Sequence, residues 1–216
     1  QILDLLERIP EDLRASALNA FCTDFHLAGT TRNNKTFHGL AAALPQSAGT
    51  YAGISQTTET SWRNQAIDGT GYATNPTSKI RSLIMACAVG EKGGKDRSKL
   101  TNVLCSSTDY QELEGYLEAR QRGPLTQHAE FADAGYGGLM VNGVPVTWSE
   151  FMASMTNMWG INAKHLKLMC CTKEPFEFLH QQPTGAPNPH IFYYLSFFNL
   201  LVRNPRAMGT LYSTTS

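Results

Sequence analysis

The opening segment constrains the fold more than any other, because it predicts a long amphipathic helix. Its apolar side chains recur at three- and four-residue spacing, which places them on one helix face. They are Ile2, Leu5, Leu6, Ile9, Leu13, Ala17, Ala20 and Phe21. Pro10 interrupts the pattern, so we expect one kinked helix or two nearly collinear helices. Such a helix buries only a stripe of its surface, so it must lie along a sheet or against another subunit.

The rest of the chain alternates predicted helices with short predicted strands. One helix is predicted from Asn75-Pro76 onward, and the next is predicted to begin with Ser107 or Thr108 as its cap. Strands are predicted at residues 101–106, 139–141, 144–146, 158–161, 166–170 and 191–202. Because the order lacks a regular strand–helix–strand rhythm, the sequence indicates an α+β fold.

Three segments carry more specific expectations. Asn142-Gly143 is the preferred dipeptide of a tight type I′ hairpin, so strands 139–141 and 144–146 should pair. Pro145 cannot donate a hydrogen bond, so its strand should lie at a sheet edge or leave that position unpaired. Residues 191–202 are apolar at successive positions, which is typical of a strand buried on both faces.

Charge and length argue against several functional classes. The 216-residue chain carries 18 basic and 18 acidic residues, whereas proteins that bind nucleic acid normally carry a basic excess. Only 17% of the residues are charged, against ~25% in typical soluble domains, so much of the surface is easy to cover with another chain. The apolar run 191–202 is shorter than the ~20 residues that cross a bilayer, so no membrane association is expected.

The cysteines indicate a reducing cytoplasm and not a disulfide framework. Their number is odd, and no CxxC pair occurs among Cys22, Cys87, Cys105, Cys170 and Cys171. Cys105, at a predicted strand end before a helix, is the best candidate for a nucleophile. The residues around Cys105 lack the glycines of a nucleophile elbow, so a small buried core residue is the favoured interpretation.

Motifs for metals and phosphates are incomplete. The six histidines form neither HxH nor HExxH, and no carboxylate lies at a ligand spacing, so no metal or other cofactor is expected. Residues 90–96 are rich in glycine and lysine. A phosphate-binding loop would need glycine at Val89 and serine or threonine at Asp96, so this segment is expected to be a loop tip.

The order of segments along the chain resembles the major capsid proteins of tailed bacteriophages, which share the Hong Kong 97-type fold. The opening helix resembles the family's long spine helix. Trp62-Arg63-Asn64 follows one branch of these proteins closely. The strongest similarity lies at the end of the chain, in Asn199, Asn204-Pro205-Arg206 and Gly209. Each motif alone is weak, and their collinearity over nearly the whole chain carries the resemblance.

The resemblance implies a Hong Kong 97-like capsid fold with a spine helix, a peripheral-domain sheet and an apical domain. Residues 1–75 and 173–216 would form the peripheral domain, and residues 76–172 the apical domain. It also implies self-assembly into hexamers and pentamers around packaged DNA, which would be contacted non-specifically. Scaffolding, portal and decoration proteins would be partners, the location would be the virion, and assembly would occur in the host cytoplasm.

For site residues, the resemblance implies assembly roles and no catalysis. The candidate assembly residues are Trp62, Arg63, Asn64, Asn199, Asn204, Arg206 and Gly209. Family members carry an N-terminal arm and an extended loop before the spine helix, whereas this chain begins at that helix. Those parts are expected to have been cleaved, left out or replaced, and no cross-linking chemistry is carried over.

Three alternatives remain beside the phage capsid subunit. An encapsulin-like compartment shell would use the same fold and enclose cargo enzymes in place of a genome. A cysteine-dependent hydrolase would use Cys105 or Cys170 with a histidine. A nucleic-acid-binding module would be centred on the basic loop at residues 92–99.

Overall fold

The computed structural model describes residues 2–29, 36–90, 97–118, 138–152, 155–170, 177–181, 191–195 and 197–214. The α-helices in these ranges are α1 (Ile2–His26), α2 (Leu40–Ala43), α3 (Pro76–Ala86) and α4 (Ser107–Glu118). The strands before α4 are β1 (Thr50–Tyr51), β2 (Ile54–Ser55), β3 (Gln65–Asp68), β4 (Val89–Gly90), β5 (Arg97–Ser98) and β6 (Asn102–Cys105). The later strands are β7 (Leu139–Val141), β8 (Val144–Trp148), β9 (Met158–Ile161), β10 (Leu166–Cys170), β11 (Glu177–Gln181), β12 (Ile191–Leu195), β13 (Phe198–Val202) and β14 (Gly209–Tyr212). The expected α+β class is confirmed.

The chain divides into two compact units, each built from two separate stretches. The first unit comprises Gln1–Leu40 and Leu168–Leu201, and the second comprises Ala41–Lys167 and Val202–Ser216. These boundaries differ from those predicted after residues 75 and 172. The assignment of peripheral and apical domains therefore stays a prediction.

In the first unit, α1 is one continuous helix that includes Pro10, and it packs against β12. The ring centroids of Phe21 and Phe198 lie 4.7 Å apart, and Phe37 lies 5.4 Å from Phe21. The expectation that the helix lies along strands is thus confirmed. Leu13, Ala17 and the other stripe residues that follow Pro10 are only half-buried.

Residues 191–202 do not form one strand buried on both faces, so that prediction is wrong. They form two strands, β12 and β13, which belong to separate two-stranded sheets, β11-β12 and β10-β13. Ile191 and Tyr193 on β12 are exposed, as is Leu201 on β13. A strand in a two-stranded sheet has few neighbours, and alternating side chains on its open face therefore meet solvent.

The second unit is built on a six-stranded mixed sheet with the order β3-β14-β9-β6-β8-β7. The strand β14 runs parallel to β3 and antiparallel to β9, while β6 runs parallel to β8 and antiparallel to β9. The helix α3 packs on β3 and β14, α4 packs on β8, and the two helices contact each other. The last strand, β14, thus lies between β3 and β9, and α3 packs on it.

The core of the second unit lies between this sheet and its helices. In α3, Ile80, Leu83 and Ile84 follow the predicted helical spacing and are buried, and Pro76 occupies the first helical turn. The other core residues are Tyr72, Cys87, Leu100, Val103, Cys105, Leu113, Val141, Val144, Val146, Met158 and Leu211. The core of the second unit therefore combines side chains that lie far apart in the sequence, from Tyr72 to Leu211.

The predicted hairpin at Asn142-Gly143 is confirmed, with φ angles of 52° and 75° at these residues. The strand of Pro145 is not at a sheet edge, since β8 lies between β6 and β7. Pro145 faces Met140 in the hairpin, and the pairing with β6 begins only at Val146. Pro145 therefore precedes the first paired residue of β8 on the β6 side, and its missing N–H removes no hydrogen bond between these two strands. Of the two predicted alternatives, an edge strand or an unpaired position, the second is the one observed.

The cap of α4 is Ser106, one residue before the predicted Ser107. The Ser106 hydroxyl accepts a hydrogen bond from the Asp109 backbone N–H at 3.1 Å and donates one to Asp109 Oδ2 at 2.8 Å. The first bond satisfies one backbone donor at the helix start, and the second joins the Asp109 carboxylate to the capping side chain. Sequence spacing alone could not choose among three consecutive hydroxyl residues.

Asp109 also connects α4 to the end of the chain. The Thr214 hydroxyl lies 3.2 Å from Asp109 Oδ2, and the Tyr72 hydroxyl donates to the Asp109 carbonyl oxygen at 3.0 Å. Asp109 is fully buried, and its Oδ1 has no hydrogen-bond partner among the described residues. Burial raises the pKa of this carboxyl, although the Ser106 and Thr214 hydrogen bonds oppose the shift.

We therefore predict that Asp109→Asn becomes progressively more stable than the wild type as the pH rises. A carboxyl whose folded pKa is raised favours folding below its unfolded pKa, and this contribution is lost as the pH rises through the folded pKa. The free energies of unfolding, measured in urea between about pH 4 and about pH 7, should diverge in favour of the variant.

Asp68→Asn is the matched control with the opposite sign. Hydrogen bonds from the Thr70 backbone and hydroxyl lower the pKa of the exposed Asp68 carboxyl, so this variant should lose stability relative to the wild type as the pH rises from about 2 to about 4, and should show little further change up to about pH 7. Parallel pH profiles for Asp109→Asn and the wild type would contradict the proposed cost of burying the carboxylate.

Candidate assembly surface

Trp62, Arg63 and Asn64 lie at the junction between a 3₁₀ turn, Thr60–Trp62, and β3. Asn64 is 3% exposed, and its Nδ2 donates to the Pro45 carbonyl oxygen at 3.0 Å. Trp62 is half-buried, and its Nε1 has no hydrogen-bond partner within the described ranges. Arg63 is exposed. The segment is thus anchored by Asn64, while Arg63 stays available at the surface.

Asn204 and Arg206 lie on a second 3₁₀ turn, Pro205–Ala207, which precedes β14. The Asn204 carbonyl oxygen accepts a hydrogen bond from the Ala207 N–H at 3.2 Å, and Pro205 occupies the first position of the turn. Pro205 and Ala207 are buried, whereas Arg206 is exposed. Because buried and exposed residues alternate along this turn, Arg206 is exposed while its neighbours Pro205 and Ala207 are buried.

The parallel pairing of β3 with β14 brings these two segments together. Gln65 is the register partner of Gly209, and the Gln65 N–H donates to the Met208 carbonyl oxygen at 3.1 Å. The two 3₁₀ turns therefore contact each other at the start of the paired strands. Six of the seven predicted residues come from these two segments.

A solvent-open pocket of about 420 Å³ lies between the two turns. Its lining residues are Thr60, Arg63, Asn64, Gln65, Ala66 and Arg206. Three of the predicted residues thus line one pocket. Its positive charge comes from two arginines, and none of the six lining residues is acidic. We call this site the arginine pocket.

Gly209 is required where β14 enters the sheet. A Cβ atom there would lie 2.5 Å from the Gln65 carbonyl oxygen and 2.8 Å from Cys87 Sγ. Both contacts are closer than packed atoms tolerate, and one involves backbone that cannot rotate away. The close approach of β14 to β3 and α3 therefore needs glycine at this position.

Asn199 is the one predicted residue outside this region. It is exposed on β13, in the first compact unit, whereas the other six lie in the second. Sequence reasoning also missed Thr60, Gln65 and Ala66 in the pocket lining. All three lie within two residues of the Trp62-Arg63-Asn64 motif, and this closeness in the sequence was the only signal that could have indicated them.

The chemistry expected for the hydrolase alternative is not supported at Cys105. Its thiol is fully buried and lies 3.4 Å from the Thr147 carbonyl oxygen. Burial, and secondarily the charge of Asp109, raises the pKa of Cys105 well above its usual range. The thiol is therefore protonated near neutral pH and is not the thiolate that nucleophilic attack requires.

The described part of the chain contains neither a metal-binding cluster nor a helix that could span a membrane. No group of three or more histidine, cysteine, aspartate or glutamate side chains there is placed to hold a metal ion. No described helix combines the length and apolar character needed to span a bilayer. The basic loop of the nucleic-acid alternative falls largely outside the described residues, since residues 91–96 are not among them.

Comparison with solved structures identifies the fold. Neither a protein-family model nor a curated protein matches the sequence. A chain of the cyanophage A-1(L) capsid asymmetric unit superimposes with a TM-score of 0.61 over 93% of this chain and 68% of that chain, at 18% identity. The chain has a viral capsid-like fold.

A second solved structure shows much weaker similarity. A virus-like particle from Pyrococcus furiosus matches 63% of this chain and 50% of that chain, at 10% identity and a TM-score of 0.37. This TM-score is too low to indicate a shared fold. The capsid-like fold therefore rests on the cyanophage structure.

We predict that Gly209→Ala destabilises the second unit by about 1–3 kcal/mol, because its Cβ would force apart β14, β3 and α3. The urea midpoint of unfolding measures this loss. Gly115→Ala is the matched control, since a Cβ at this α4 position meets no atom within 4 Å and should stabilise by about 0.5–1 kcal/mol. Equal effects of the two substitutions would show that Gly209 is not a close-contact position.

Proposed function

We propose that this chain is the major capsid protein of a tailed bacteriophage, which assembles through hexamers and pentamers into an icosahedral shell around the genome. The observation that carries the proposal is the similarity of 93% of the chain to a subunit of the cyanophage capsid asymmetric unit. The residue-level resemblance to this class of capsid proteins supports it independently, because it rests on motifs in the sequence and not on coordinates.

Exposed apolar side chains in the first unit support contact with further copies. Leu168 and Met169 on β10 are 47% and 52% exposed, and Phe197 before β13 is 53% exposed. Phe178 on β11 and Ile191 on β12 are also exposed. Burying such side chains against another copy would contribute about 25 cal/mol per Å² of apolar surface toward association.

The proposed partners follow from the assembly. Copies of this chain are the principal partner, and scaffolding, portal and decoration proteins are expected around them. The packaged DNA would be contacted without sequence specificity. The proposed location is the virion, after assembly in the host cytoplasm.

Electron microscopy of the purified chain tests the proposal. We expect closed shells or flat hexagonal sheets, because a capsid subunit repeats the same contacts around local symmetry axes. A species that stays monomeric at high concentration would overturn the proposal. Shells could also be isolated from their natural source and found to enclose a cargo protein and no genome. That result would support shell assembly, but it would overturn the phage assignment in favour of an encapsulin-like compartment.

A further inference from the structure

The arginine pocket carries positive charge that no described residue neutralises. The side chains of Arg63 and Arg206 are exposed, and neither forms an ion pair or a hydrogen bond with another described residue. The other lining residues are neutral, although the chain as a whole has no net charge. Two like charges that share one pocket repel each other, and an anion placed between them would relieve this repulsion.

The chemistry of the lining suits an oxyanion such as a carboxylate. Each guanidinium group presents a planar set of N–H donors that matches the two oxygens of a carboxylate. Thr60 and Gln65 add a hydroxyl and an amide to the lining, so the pocket offers further hydrogen bonds. The site is open to solvent, which lets a side chain from another molecule enter.

The backbone around the pocket is held in place before any ligand arrives. Asn64 is fixed by its hydrogen bond to Pro45, and Gln65 is fixed by pairing with Gly209. Arg206 follows the buried Pro205 in a 3₁₀ turn. Binding therefore orders the arginine side chains and not the loops that carry them, which lowers the entropic cost.

We propose that the arginine pocket binds carboxylate side chains of a neighbouring copy of this chain, so that it is an ionic contact of the assembled shell. This inference rests on the proposed function and adds the chemistry of one contact. A copy of this chain suits the site because it carries exposed acidic side chains that form no ion pair or hydrogen bond with a described residue. They are Glu11, Asp12, Glu59, Glu114 and Glu150.

Glu11 and Asp12 are the leading candidates among these acids. They are consecutive exposed residues of α1, so one segment supplies two carboxylates, which matches the two guanidinium groups in number.

The test compares the assembly of charge-reversed variants. Arg63→Glu combined with Arg206→Glu should raise the protein concentration needed for assembly by at least about tenfold, since like charges would then meet across the contact. The variant should still fold, because both side chains are exposed, and thermal unfolding checks this. Arg81→Glu, at an exposed arginine of α3 without a described partner, is the matched control and should assemble as the wild type does.

Rescue identifies the acid that enters the pocket. Adding Glu11→Lys and Asp12→Lys to the double variant should restore assembly, because the ion pairs are then re-formed with opposite polarity. Glu59→Lys, Glu114→Lys and Glu150→Lys are introduced into the same background in turn. Restoration by any of these acids supports the proposal, and failure of all five to restore assembly overturns it.

Other outcomes separate this inference from the proposed function. If the wild type assembles and the double variant assembles equally well, the ionic contact is overturned and the capsid function stands. If the double variant assembles normally but binds DNA less tightly than the wild type, the ligand is a phosphate and the carboxylate proposal falls. A wild type that stays monomeric overturns both.

Discussion

The insertion of β14 between β3 and β9 is the interaction on which the second compact unit depends. Among the described strands, β3 has no sheet partner other than β14, so the sheet loses both strands if β14 leaves. Leu211 on β14 is fully buried in the core, and the Thr210 hydroxyl donates to the Leu44 carbonyl oxygen at 2.8 Å. The last residues of the chain thus hold in place a segment that precedes them by more than 140 positions.

The arginine pocket is a consequence of this pairing and has no local origin. Arg63 and Arg206 share a pocket because the 3₁₀ turns before β3 and β14 lie side by side when the strands run parallel. An antiparallel pairing would place those turns at opposite ends of the sheet. The same geometry explains the need for Gly209, since the strands approach closely where the pocket begins. The parallel pairing of β3 with β14 therefore determines both the stability of the second unit and the position of the arginine pocket.

Sequence reasoning succeeded where a signal was local. The spacing of Ile80, Leu83 and Ile84 and the Asn142-Gly143 turn predicted α3 and the β7–β8 hairpin, and β9 and β10 were also predicted correctly. It failed where a strand forms only because it pairs with a segment that is distant in the sequence. The residues of β3 show no alternation of polar and apolar side chains, and their strand forms only because β14 provides a partner. Residues 191–202 are apolar except at Ser196 and Asn199, and the sequence alone could not show how many neighbouring strands would cover them.

The two compact units offer contacts of different chemistry, and salt affects each differently. Exposed apolar side chains such as Phe197 and Met169 in the first unit favour association through burial, which sulfate strengthens. The charges of Arg63 and Arg206 in the second unit act over about 8–10 Å at moderate ionic strength and are screened as chloride salts are added. Assembly that weakens in sodium chloride and recovers in sulfate would require both contacts to act. Assembly that is indifferent to sodium chloride would instead assign the association to the apolar surface of the first unit.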